Sequence, residues 1–168
     1  MQSSRRSQMM ALAAAISCLA LPGCGGVNSL SDFYERIIAG PSKQIVKALD
    51  NALQLDIDAG TFKDIVTLLF ASVFDIPVAA LLLVTGIDFQ IQEDVDPLKA
   101  IAFELLYDPA NIPAGFTEQD LSLFRMQDGS AVKVEGATFD YEANKVRADI
   151  TKEGQYFVAI DERTPATP

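Results

Sequence analysis

Side chains able to do chemistry are few in this chain. It holds two cysteines, Cys18 and Cys24, and 23 acidic residues, with no histidine and no tryptophan. Without histidine there is no general base for Ser-His-Asp or Cys-His catalysis, and no ordinary His/Cys zinc set. Paired carboxylates can serve acid–base work, as in glycoside hydrolysis, but no spacing here singles out a pair. Asp56, Asp58 and Gly60 suggest a calcium loop. Counted from Asp56, however, Gly60 is fifth, Thr61 sixth and Thr67 twelfth, where such a loop needs an oxygen ligand, a glycine and a glutamate. Glu93-Asp94-Val95-Asp96 has the composition of a solvated acidic turn. Tyr107, Phe116, Phe124 and Tyr141 could stack on sugars, but packing within strands is the commoner fate of such rings. We therefore expect no metal, no cofactor and no catalytic centre.

The thiol with the most telling neighbours is Cys24. Arg5 and Arg6 form a positive head, and residues 9–21 are apolar apart from Ser17. A run of about 13 residues suits a signal segment and falls short of the roughly 20 that span a bilayer. Leu21, Pro22, Gly23 and Cys24 follow. This arrangement resembles a bacterial lipoprotein signal with its lipobox: leucine at −3, a small residue at −1 and cysteine at +1. The resemblance implies a diacylglycerol on the Cys24 sulfur, cleavage before Cys24 and a partner in the membrane itself. Two or three acyl chains hold far more firmly than one, at about 0.8 kcal/mol per buried methylene. Gly25 and Gly26, where an aspartate would favour retention at the inner membrane, imply the outer membrane if the envelope has one. Arg5-Arg6 is also similar to a twin-arginine signal, although Gln8 stands where that family has a bulky apolar residue.

Net charge sharpens the choice of partner. The chain carries −10, and loss of residues 1–23 would remove two arginines and no acid. Such a surface repels nucleic-acid phosphates and anionic head groups. The remaining length, roughly 145 residues, suffices for one domain with a real core or two small ones. With Cys18 removed and Cys24 lipidated, no thiol is left for a disulfide.

These residues need elements to position them. Ser29 and Asp32 have capping-box spacing before Phe33, Ile37 and Ile38, with Gly40-Pro41 as a stop. Ser42 can cap a second helix, with Ile45, Leu49, Ala52 and Leu53 on one face. Thr61 and Asp64 form a further capping pair leading into 65–74, and 78–84 is wholly apolar. The 20 residues 65–84 could also be a membrane span, opposed by Asp75 and Pro77. From Ile87 the period changes to two, with Ile87, Phe89 and Ile91 alternating with polar residues. Strands follow over 99–107, 121–126, 132–134, 138–141, 146–150 and 156–160, with Asp128-Gly129 as a hairpin turn and Asn144 as another.

Leu121, Leu123, Asp128-Gly129, Asp140, Asn144, Val146, Ala148, Ile150, Gly154, Tyr156 and Val158 together resemble the C-terminal half of immunoglobulin-like modules of bacterial surface proteins. The expected class is α+β: N-terminal helices followed by an antiparallel immunoglobulin-like β-sandwich. The expected divisions are a signal peptide at 1–23, a helical apolar-rich region at 24–86, a sandwich at 87–160 and a tail at 161–168. The expected function is a non-catalytic, exported lipoprotein of the cell envelope, anchored through Cys24, that acts as a structural or protein-interaction module. The alternative is a lipoprotein that binds an apolar or carbohydrate ligand.

Overall fold

A computed structural model describes residues 34–163. Its regular elements are eleven strands and two single-turn 3-10 segments, Pro109–Asn111 and Glu118–Asp120. The strands are β1 (Glu35–Ala39), β2 (Gln44–Ala48), β3 (Leu53–Ile57), β4 (Val66–Ser72), β5 (Leu81–Ile91), β6 (Ile101–Leu106), β7 (Leu121–Gln127), β8 (Ser130–Lys133), β9 (Thr138–Asp140), β10 (Lys145–Ile150) and β11 (Gly154–Asp161).

The expected α+β class is therefore corrected to nearly all β, and the N-terminal helices are replaced by β1 to β5 wherever that region is described. Residues 44–57 show why. Val46, Ala48, Leu53, Leu55 and Ile57 are buried at alternate positions of β2 and β3, so a period of two competes with the helical spacing Ile45, Leu49, Leu53. Between the two strands Leu49, Asp50 and Asn51 take φ values of 53°, 55° and 67°, a left-handed run that no right-handed helix can pass through. Thr61 is buried in a turn, its backbone N–H donating to the Asp58 carbonyl, and caps no helix.

The apolar runs 65–74 and 78–84 hide their alternation for a different reason. In β4, Val66, Leu68 and Phe70 face the main core, yet Ala71 on the opposite face is buried too. A strand covered on both faces gives a continuous apolar run that short windows do not distinguish from a buried helix. No helix among the described residues is long and apolar enough to cross a membrane.

The strands form two antiparallel sheets, β1-β4-β5-β11-β7-β8 and β2-β3-β6-β10-β9. Their inner faces share one core. Phe70 and Phe89 stack across β4 and β5 at 5.5 Å between ring centroids, and Phe103 of the smaller sheet meets Tyr156 of the larger at 5.5 Å. Each fully buried ring or branched side chain contributes about 1.5–3 kcal/mol relative to its exposure. Leu53, Leu55, Ile57, Leu68 and Phe70 join the same cluster as Ile101, Phe103, Val146 and Val158. The strands expected in the second half of the chain are present, and Asp128 and Gly129 both have positive φ in the β7–β8 turn, as a tight hairpin requires.

A second, smaller core lies on the outer face of the six-stranded sheet. Residues 73–80 leave β4 and fold over that face as a strap before β5 begins. Ile76, Leu81, Phe124, Phe157 and Ala159 are buried there, and Phe124 stacks on Phe157 at 5.8 Å. Three antiparallel pairings separate β1 from β11 in this sheet, so the first and last described strands run in opposite directions.

Candidate functional site

Arg5, Arg6, Leu21, Pro22, Gly23 and Cys24 lie outside the described residues, as do Ser29, Asp32 and Phe33. The first described residue, Tyr34, lies over the outer face of the six-stranded sheet. Its hydroxyl donates to Asp88 Oδ2 at 2.9 Å and accepts from Gln90 Nε2 at 3.0 Å. Burial, reinforced by the Asp88 carboxylate, pushes the Tyr34 phenol above its ordinary value. Asp88, at 9% exposure, thus has two partners, since Gln90 Nε2 also donates to it at 3.1 Å.

The other acidic candidates are occupied or solvated. Asp56 Oδ1 accepts from Gln54 at 3.3 Å, and Asp58 pairs with Lys43 at 3.2 Å on an exposed surface. Glu93 Oε2 accepts the Thr67 backbone N–H at 2.7 Å, and that bond holds its carboxyl below the usual range. No group of three or more potential metal ligands converges among the described residues.

The aromatic candidates separate by exposure. Tyr107 is buried and Phe124 belongs to the second core. Phe116 is half-buried against the main core. Burial drives the Tyr107 phenol far up, and its hydrogen bond to Glu118 Oε1 at 3.1 Å adds to the effect. Tyr141 remains 43% exposed, with its inner face on Phe139 at 6.0 Å and 15°.

A pocket of about 370 Å³ lies at one end of the sandwich, walled in part by residues of the apolar stretch 65–84. Leu49 and Ala52 wall it from the β2–β3 turn, Val73 and Phe74 from the start of the strap, and Leu83 and Leu105 from β5 and β6. Its size falls at the lower end of the roughly 300–1,000 Å³ usual for small-ligand sites. Phe74, 79% exposed, contributes to its lining. The left-handed run Leu49-Asp50-Asn51 positions one wall and is itself held by the Glu35 carboxylate, which accepts the Leu49 N–H at 2.5 Å. Chemically the pocket offers polar and apolar surface in nearly equal share, with Ser72, Thr85 and Asn111 among the polar contributors. Asn111 Nδ2 donates to the Val84 carbonyl at 3.4 Å.

A further group of apolar side chains is exposed where the chain crosses from one sheet to the other. Ile38 on β1 and Ile45 on β2 are each 60% exposed, and Ile65, close to Gly40 of the crossing, is 69% exposed. Comparison with family models and with curated proteins finds no match for this chain.

Proposed function

We propose that this protein is a non-catalytic, exported lipoprotein that engages an envelope protein through an immunoglobulin-like sandwich. The lipid would sit on Cys24, in the outer membrane where the envelope has one. The observation that carries the interaction role is the pair Ile38 and Ile65, both exposed at the β1–β4 border of the six-stranded sheet, where register sets them two residues apart. Contiguous exposed apolar side chains mark association surfaces more often than isolated ones do. Roughly ten residues separate Cys24 from Tyr34, a reach of at most about 35 Å, which would keep that edge near the membrane.

Two measurements test this reading. The intact mass of the N-terminal peptide from host membranes should show a diacyl or triacyl adduct on Cys24, abolished in Cys24→Ser. Release of both proteins in soluble form would refute the anchor. A photo-crosslinker at position 38 should give one discrete adduct in the envelope, lost when Ile65 is changed to lysine. A diffuse smear unaffected by that change would refute the interaction surface.

The pocket beside Phe74 favours a second reading, a lipoprotein that accepts an apolar ligand. Native mass spectrometry of protein purified from the host should then show a bound small molecule that Leu83→Arg removes. An empty pocket after gentle purification would count against it.

A further inference from the structure

Arg125 is the least expected charge in the fold. Register places it on β7 directly opposite Tyr156 of β11 and Val132 of β8. Directly paired residues share a face of the sheet, and Tyr156 is a buried member of the main core. Arg125 therefore projects on the inner face, between the sheets, at the end away from the Phe74 pocket. The strand β6 fixes those ends: Leu105 lines the Phe74 pocket, whereas Ile101, at the opposite terminus of the strand, pairs with Ile150 beside Arg125.

Around Arg125 lies a pocket of about 230 Å³. Val132, Val134, Ile150 and the Tyr156 ring supply its apolar surface, and Lys133 and Lys152 also contribute to its lining. The Tyr156 hydroxyl donates to the Lys152 carbonyl at 2.7 Å, which fixes the β10–β11 turn beside the opening. Arg125 Nη2 donates to Gln127 Oε1 at 2.7 Å, and the guanidinium also acts on the Tyr156 hydroxyl, partly opposing the burial that raises that phenol. Yet Arg125 forms no ion pair with a carboxylate among the described residues, in a chain whose net charge is −10. Asp149 is the one acid in the lining, and it alternates with the buried Ala148 and Ile150 on β10, so its side chain leaves the opposite face. A half-buried guanidinium is costly to desolvate and offers a planar fork of donors. The oxyanion that matches that fork is a carboxylate, held by two parallel hydrogen bonds.

We propose that this pocket is a carboxylate-binding site with Arg125 as its anchor. The volume takes a small organic acid or the last residue of a peptide, with an apolar or ring-shaped body against Val132, Ile150 and Tyr156. Both sources present the same group. The edge of β8, which pairs only with β7 among the described residues, gives a peptide a strand to extend beside. The site is independent of the anchor and of the isoleucine edge.

The test is an NMR titration of the full chain at constant ionic strength, following backbone amides and the Arg125 Nε–H. The probes are phenylacetate and an acetylated tripeptide ending in phenylalanine, the latter with a free or an amidated C-terminus. Phenylacetate should give saturable shifts confined to Arg125, β8 and residues 150–152, at millimolar concentration. Arg125→Gln should weaken binding at least tenfold. Arg125→Lys, which keeps the charge and loses the fork, should also weaken it and guards against a folding defect in the first variant. A free tripeptide that also shifts the β8 amides, with no response to its amide, assigns a peptide terminus. Binding of phenylacetate alone assigns a small acid. Absence of saturation with every probe, equal shifts with chloride, or unchanged binding in both variants would overturn the proposal.

Discussion

Thr61 is fully buried, and its hydroxyl has no hydrogen-bond partner among the described residues. A buried hydroxyl without a partner forfeits its hydration, at about 1–3 kcal/mol. Thr61→Val keeps the shape and removes that deficit, so it should raise the unfolding free energy by about 1 kcal/mol in urea melts; a loss of stability would mean that the hydroxyl is satisfied by a bound water. Thr61 also illustrates what single residues disclose in the sequence. Thr61 and Asp64 have the spacing of a capping box, but the same residue types serve turns equally well, and only the tertiary setting decides. Asp128-Gly129 and Asn144 were legible because positive φ is demanded locally and few side chains tolerate it; both asparagine-like positions adopt it, at 50° and 51°. Arg125 was not legible, because its inward placement depends on a register with β11 set some thirty residues away.

Among the elements, the strap over 73–80 separates what the sequence disclosed from what it concealed. Strands β6 and β10 bury one face and alternate cleanly, so their period of two is visible in the chain. Strand β4 and the first half of β5 lie partly beneath the strap and are buried or half-buried on both faces, so their composition resembles that of a buried helix, whereas Ile87, Phe89 and Ile91 at the end of β5 keep a visible alternation. Gly86 sits tightly between strap and sheet: a Cβ there would stand 3.0 Å from Phe157 Cβ and 3.2 Å from Val73 Cβ. Gly86→Ala should therefore cost about 1–3 kcal/mol through overpacking, measured as a lower urea midpoint. An unchanged midpoint would show that the strap yields freely.

For the whole molecule, the absence of histidine sets a distinctive pH response. The side chains that ordinarily titrate near neutrality are histidine and cysteine, and both cysteines precede Tyr34. Stability should be flat between about pH 6 and 9. In acid, Glu104 contributes a decline. Burial alone would raise its carboxyl, but Lys145 at 3.1 Å and Arg147 at 2.8 Å outweigh that and hold it below 4.5. A depressed carboxyl stabilises the fold above its unfolded value, and that contribution is lost as pH falls through the folded value. In alkali the sign reverses. Burial raises Tyr34, Tyr107 and Tyr156 above 10.0, so the unfolded chain sheds these protons first and stability falls above about pH 10. Thermal melts from pH 3 to 11 should give this plateau, with Tyr107→Phe softening the alkaline limb; a step near pH 6.5 would contradict it. The opposed directions of β1 and β11 carry a mechanical consequence. Tension applied between the two would load both strands from the same side of the sheet. Among the described residues β1 is a border strand bonded only to β4, so it would open like a zipper, one hydrogen bond after another, instead of resisting in shear along its whole length. Held between a membrane and a moving partner, such a module would give way at its first strand under modest force while the rest of the sandwich stayed folded.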